Sequence, residues 1–517
     1  MNQLAKELHN CPLMATNSSP LIFSMFLLLP LFLLSITSSG SHHIREATVE
    51  DLQLAFKQNK LTSRQLVKFY LKEIQKLNPS LRGVIEVNPD ALDQADKADK
   101  EHQAKAQGSL MGLHGIPVLL KDNIATKDEM NTTAGSYALL GSIVPQDAGV
   151  VAKLRRAGAI ILGKASLSEW AHWRSRSSPL GWCARSGYGK NPYNFSAEPC
   201  GSSSGSAIST AANMVAVSLG TETDGSILCP SFLNSIVGIK PTVGLISRAG
   251  VIPITPRQDT VGPMCRTIAD AAYVLDAIAG LDYNDKATIE ASKYIPQGGY
   301  KQFLKLNGLK GKRLGILRSE FAFEKESIPA KTYEQHFKTL RQAGAVLIDN
   351  LEVKHKDILT SNYEDIAINA EFKLALNAYL TQLVNSPVRS LKDVIAFNNR
   401  NPGLEKMKEY GQDHFMEAEP TNGIREKERE ALSKFEIYSK YGFEKLIQNN
   451  KLDALVAPFI SHYIASGGYP GITVPAGYDI GGIPFGINFA GLKGSEPTLI
   501  EIAYSFEQAT KVRRPPF

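Results

Sequence analysis

The chain has 517 residues and is 43% hydrophobic, enough apolar content to bury a sizeable core. Its 57 basic and 51 acidic residues leave a net charge of +6, with no run of five or six like charges. That balance is ordinary for a globular chain, and its scattered basic residues call for no nucleic-acid surface.

An apolar stretch runs from Leu21 to Ile36, interrupted by Pro30 and followed by the small residues Thr37, Ser38, Ser39, Gly40 and Ser41. This predicts a signal peptide over residues 1–40, or else an uncleaved signal anchor, and so the secretory pathway. Translation from Met14 instead of Met1 gives the more usual length before the apolar run. Cys11 leaves with that segment, so Cys183, Cys200, Cys229 and Cys265 are the cysteines of the mature chain, and most are expected to be free. Asn131-Thr132-Thr133 and Asn194-Phe195-Ser196 are glycosylation sequons. Asn194, in an Asn-Pro-Tyr-Asn turn, is expected to carry glycan and Asn131 to stay bare.

The elements then follow in order. Thr48 to Leu77 reads as two helices split by a turn at Gln58-Asn59-Lys60, each opened by a capping box, Thr48 with Asp51 and Thr62 with Gln65. A charged helix spans Pro89 to about Ala106. Pro117 to Leu120 reads as a strand ending at Lys121. Asp147 to Ala157 reads as a helix with Asp147 as its N-cap, and Ile160 to Leu162 as a strand. A small-residue helix from Ser206 to Met214 precedes a strand from Val215 to Leu219. Strands at Arg313–Leu317 and Val346–Ile348 flank a helix over Ala330–Ala343. Residues 350–450 read as a mostly helical covering layer. Strand signals return at Leu455–Pro458, Gly471–Pro475 and Pro484–Phe489, and a helix over Glu496–Ala509 closes the chain. The alternation predicts an α/β fold: one large domain over 46–517 with a mixed β-sheet covered by helices on both faces.

Three segments carry chemistry. Ser226 follows a strand and a turn containing Gly220 and Gly225, and reads as a nucleophile. The turn N–H groups of Thr223, Asp224, Gly225 and Ser226 could converge on a developing oxyanion. Ser202 lies in Gly201-Ser202-Ser203-Ser204-Gly205-Ser206, which alone reads as a flexible linker; an apolar helix follows without a break, which places it in a packed unit as a proton relay. Lys121 ends an apolar strand. Buried beside the serines it becomes a usable base; on the surface it is a solvated charge. A phosphate-binding loop is excluded, since no lysine precedes the serine as the Walker pattern needs. His42, His43, His102, His114, His172 and His336 sit in no nucleophile context.

These blocks resemble the amidase signature family of Ser–Ser–Lys hydrolases. Gly115–Asn123 resembles the lysine block. Cys200–Ser206 resembles Gly-Gly-Ser-Ser-Gly-Gly-Ser, with Cys200 and Ser204 replacing glycines. Gly220–Pro230 resembles Gly-Thr-Asp-Thr-Gly-Gly-Ser-Ile-Arg-x-Pro, with Glu222, Asp224 and Leu228 as departures. Gly163–Trp170 and Val237–Thr242 also fit. The resemblance implies Ser226 as nucleophile, Ser202 in a cis peptide as relay and Lys121 as base, without metal or cofactor. The departures resemble the peptide amidase and plant amidase subgroup. They imply a small-molecule or peptide amide as substrate, no nucleic-acid partner, and a monomer or homodimer. The alternatives are a catalytically silent binding relative and a subunit of a transfer-RNA amidotransferase.

Overall fold

The computed structural model describes residues 44–104 and 112–517, and the apolar segment before residue 40 lies outside them. Two helices open the body, Val49–Lys57 and Ser63–Leu81. Both predicted capping boxes are made: Thr48 and Thr62 accept from the N–H groups of Asp51 and Gln65, whose side chains accept in return.

Eleven strands build one mixed sheet. In chain order they are β1 (Val84–Val87), β2 (Pro117–Lys121), β3 (Ile160–Ala165), β6 (Val217–Glu222), β7 (Val237–Lys240), β8 (Thr260–Cys265), β9 (Arg313–Ile316), β10 (Val346–Ile348), β11 (Ala454–Ala457), β12 (Gly471–Tyr478) and β13 (Pro484–Ala490). A separate hairpin pairs β4 (Trp182–Cys183) with β5 (Gly187–Tyr188). The sheet order is β1-β3-β2-β6-β8-β7-β12-β13-β11-β9-β10. Its parallel neighbours are β3–β2, β2–β6, β11–β9 and β9–β10; the other pairs are antiparallel.

Successive strand residues point to opposite faces, so a strand buried at every position has cover on both. This holds for β2, β3, β6, β7, β8, β11 and β13. The helices that supply the cover include Ser204–Ala211 on β6, Leu228–Leu233 on β12 and β13, Ile268–Ile278 on β8, and Glu496–Thr510 on β12. The expected mixed α/β architecture is therefore observed.

Several boundaries differ from expectation. The small-residue helix is Ser204–Ala211 and the strand after it Val217–Glu222, a displacement of two or three residues. β1, β7 and β8 went unpredicted: β1 and β7 have four residues each, and β8 carries Pro263 inside a paired strand. Asp147 does not cap its helix. Ala148 stands at the N-cap without a side-chain bond, while Asp147 accepts from the Lys127 N–H and from Arg155 Nε. Residues 350–450 contain helices and no strand, including Tyr363–Gln382, Leu391–Arg400 and Glu426–Ile437.

Candidate active site

β2 and β6 run parallel, with Val118 opposite Val217 and Leu120 opposite Leu219. Their carboxyl ends emerge together, the usual place for a ligand site at parallel strands. Lys121 ends β2 and Glu222 ends β6. Lys121 is fully buried and donates from Nζ to Ser202 Oγ at 2.7 Å and to the Thr221 carbonyl at 3.0 Å. Burial lowers its pKa from 10.5 to about 7, opposed by the charges of Glu222 and Asp259. The surface alternative for this lysine is thereby excluded.

The Ser202 loop and the Ser226 turn are held against each other. The Ser203 N–H donates to the Ser226 carbonyl at 3.1 Å, and Ser203 Oγ donates to the Thr221 carbonyl at 3.0 Å. The Ser168 N–H donates to the Ser202 carbonyl at 2.9 Å, and Ser206 Oγ to the Leu219 carbonyl at 2.9 Å. The Gly201–Ser202 peptide is cis, as the resemblance implied. Gly205 is the second residue of the helix after this loop, where an added Cβ would lie 2.4 Å from the Gly83 carbonyl oxygen. Here the position needs glycine for close approach.

Gly225 adopts φ +76°, the left-handed region, and turns the chain into Ser226. The N–H groups of Asp224, Gly225 and Ser226 have no acceptor among the described residues. Ser226 itself is 8% exposed. A cavity of about 360 Å³ opens over it, lined by Thr223, Asp224, Gly225 and Ser226 on one side and by Ala171, Trp173, Leu180, Glu364, Ile368 and His414 among others. The walls thus come from the segment after Trp170 and from the 350–450 layer.

Four of the five departures from the family blocks now have physical reasons; nothing in the structure explains Ser204. Glu222 accepts the Ile227 N–H at 2.6 Å and the Leu228 N–H at 2.9 Å, so its carboxylate caps the backbone just past Ser226. Asp224 Oδ2 pairs with Nδ1 of the exposed His462 at 2.9 Å. The Asp224 charge raises the His462 pKa to about 9, keeping it cationic at neutral pH. Leu228 is buried in an apolar cluster with Ile464 and Tyr469. Cys200 stands at φ +56° where the family block has glycine, and it is bonded to Cys229. The expectation that most cysteines are free is corrected: two of the four in the described residues are paired, Cys183 and Cys265 being free and buried. The partners lie 29 residues apart, and only the packing of the Ser202 loop against the helix Leu228–Leu233, invisible in the spacing, brings them together.

Lys121, Ser202, Thr223, Asp224, Gly225 and Ser226 are thus gathered at one place. The sequence reasoning missed His462 and Glu364, which line the cavity from distant helices. No motif marks either residue; Glu364 belongs to the first turn of the helix Tyr363–Gln382 and reads there as an ordinary first-turn acid. No group of three or more His, Cys, Asp or Glu among the described residues could hold a metal ion.

A buried lysine hydrogen-bonded to a serine, beside a second serine at the floor of a cavity on a mixed α/β sheet, is an arrangement suited to acyl transfer at an amide or ester. The chain belongs to the amidase family, whose model matches residues 65–465. It is 59% identical over 486 residues to a probable amidase of Arabidopsis thaliana, covering 93% of each chain. The native peptide amidase of Stenotrophomonas maltophilia is similar in structure, with 43% identity, a TM-score of 0.84 and coverage of 91% of this chain and 98% of that one. An amidase family protein of Bacillus anthracis follows with 36% identity, a TM-score of 0.87 and coverage of 94% and 95%.

Proposed function

We propose that this amide hydrolase acts through a seryl acyl-enzyme on amidated peptides and related small amides. The observation that carries the reading is the 2.7 Å contact between fully buried Lys121 and Ser202, beside the turn that presents Ser226 to the cavity. Neutral Lys121 takes a proton from Ser202 as Ser202 takes one from Ser226. Ser226 Oγ attacks the amide carbon, and the N–H groups of the 223–226 turn receive the oxyanion. The proton returns through Ser202 to the leaving nitrogen, which departs as ammonia or amine. Water then repeats the sequence on the ester. The peptide amidase likeness and the cavity of about 360 Å³, of the size that takes a small ligand, support the substrate class.

A fluorophosphonate probe should label the protein at Ser226, and Ser226→Ala should lose both labelling and ammonia release from an amidated dipeptide. Labelling that survives Ser226→Ala overturns the assignment. Ammonia release by the isolated protein, without RNA or partner, separates this reading from an amidotransferase subunit and from a silent binding relative.

The apolar run Leu21–Ile36 supports entry into the secretory pathway, and the Cys200–Cys229 disulfide supports an oxidising compartment independently. Asn194 is offered as the glycan site. The Asn131 amide is turned to Glu86, and Thr132 and Thr133 of that sequon are buried, which supports a bare Asn131.

A further inference from the structure

The Cys200–Cys229 disulfide joins the Ser202 loop to the first turn of the helix Leu228–Leu233 that follows Ser226, two segments that the reaction must keep in register. Cys200 lies two residues before Ser202, and Cys229 three residues after Ser226. Both cysteines line the cavity over Ser226. We propose that Cys200 and Cys229 are positioning residues for acyl transfer, and that their reduction by a dithiol turns the enzyme down. The inference rests on Ser226 as nucleophile and Ser202 as relay.

Three observations carry it. First, the covalent link spans the Ser202 loop and the helix after Ser226 at the cavity wall. Non-covalent ties also join the loops, chiefly the Ser203 N–H to Ser226 carbonyl bond. They preserve the fold once the link is cut, while a small displacement of Ser202 from Ser226 suffices to slow the chemistry; a misplacement of about 1 Å can cost about 100-fold in rate. Second, Cys200 holds a left-handed backbone, φ +56°, a conformation that favours glycine. This chain carries a side chain at a position that favours glycine, and that side chain makes a bond that only cysteine makes. Third, Cys229 is partly exposed within the cavity, so a small thiol entering by the substrate route can reach the bond, whereas the free Cys183 and Cys265 are buried.

The chemistry balances with an external dithiol. Its thiolate attacks one sulfur, the S–S bond breaks, and a mixed disulfide forms. The second thiol of the dithiol displaces the protein sulfur. Cys200 and Cys229 end as thiols, the dithiol ends as a disulfide, and two electrons have passed to the protein.

The test compares oxidised and dithiothreitol-treated enzyme on an amidated dipeptide, with thiol alkylation and mass mapping to show which cysteines have opened. Reduction of this pair should lower kcat at least tenfold, leave KM within twofold, and slow fluorophosphonate labelling of Ser226 in parallel. Reoxidation should restore kcat. A disulfide serving only global stability would lower the melting temperature without moving kcat at 25 °C. Cys200→Gly with Cys229→Ser removes the link and leaves residue 200 comfortable at positive φ; it should show the lowered kcat and no response to reductant. If Cys200→Ser with Cys229→Ser fails to fold, the glycine pair decides. Wild-type kcat in that variant, or a fully reduced pair with kcat within twofold, overturns the inference. Loss of labelling in oxidised Ser226→Ala, combined with an unaffected reduced enzyme, would refute the link alone and leave the nucleophile assignment standing.

Discussion

Replacing Lys121 by methionine should lower activity by orders of magnitude and stabilise the protein, both for one reason. The ammonium sits at 0% exposure, and burial lowers its pKa from 10.5 to about 7. Each tenfold change in proton affinity is worth about 1.4 kcal/mol, so the charged form costs the folded state of order 5 kcal/mol relative to the unfolded chain. The sign is set by the depressed folded value. Between pH 7 and 10.5 the unfolded chain holds a proton that the folded chain has released. The cost is therefore full below pH 7 and fades as pH rises to 10.5. Methionine removes it, and loses two hydrogen bonds worth about 1 kcal/mol each. The Thr221 carbonyl still accepts from Ser203 Oγ, so it is not orphaned. Lys121→Met should then be more stable than wild type by about 2–4 kcal/mol at pH 6.5. The difference should vanish or reverse near pH 10.5. Urea unfolding at both pH values measures it. Lys164 and Lys240, both lowered to about 8 by burial, act equally in the two proteins and cancel. In turnover, wild-type kcat/KM should rise about tenfold per pH unit below 7 and level off above, and the variant should lose about 10²–10⁴-fold. A variant less stable than wild type at pH 6.5, or a wild-type profile flat from pH 5 to 8, would refute the reasoning.

Arg174 is fully buried between Glu169 and Glu405, at 2.5 and 3.3 Å. Arg174→Leu leaves two buried carboxylates without their cation and should cost about 3–5 kcal/mol in urea unfolding; a loss under 1 kcal/mol would contradict this. Gly225→Ala places a Cβ at φ +76°, 3.2 Å from Ser461 Oγ. It should reduce kcat more than KM rises, and steady-state kinetics at near-normal activity would show the turn to be tolerant. For protein from its native host, N-terminal sequencing should find a start near residue 40. Glycan mapping should find Asn194 occupied and Asn131 bare. A chain beginning at Met1 with no glycan counts against the secretory reading.

Features that are local or contiguous were legible in the amino-acid sequence. The capping boxes at Thr48 and Thr62 close within four residues, so they are legible and both are made. The serine blocks at 200–206 and 220–230 are contiguous and identify the family and the chemistry. Runs such as Pro117–Leu120, apolar throughout, and Pro484–Phe489, apolar but for Gly486 and Asn488, mark strands because burial on both faces favours apolar residues. Tertiary structure alone decided what depends on distant partners. Lys121 reads as a surface or a buried charge until Ser202, 81 residues away, meets it at 2.7 Å. Cys200 and Cys229 pair only because a loop and a helix are folded together. Asp224 finds His462 across 238 residues, and Glu364 enters the cavity from a helix whose first-turn acids read as ordinary surface groups. Local pattern records the conformational preference of the chain. The desolvation of a lysine and the partner of a carboxylate are set by residues brought close by packing, which no spacing encodes.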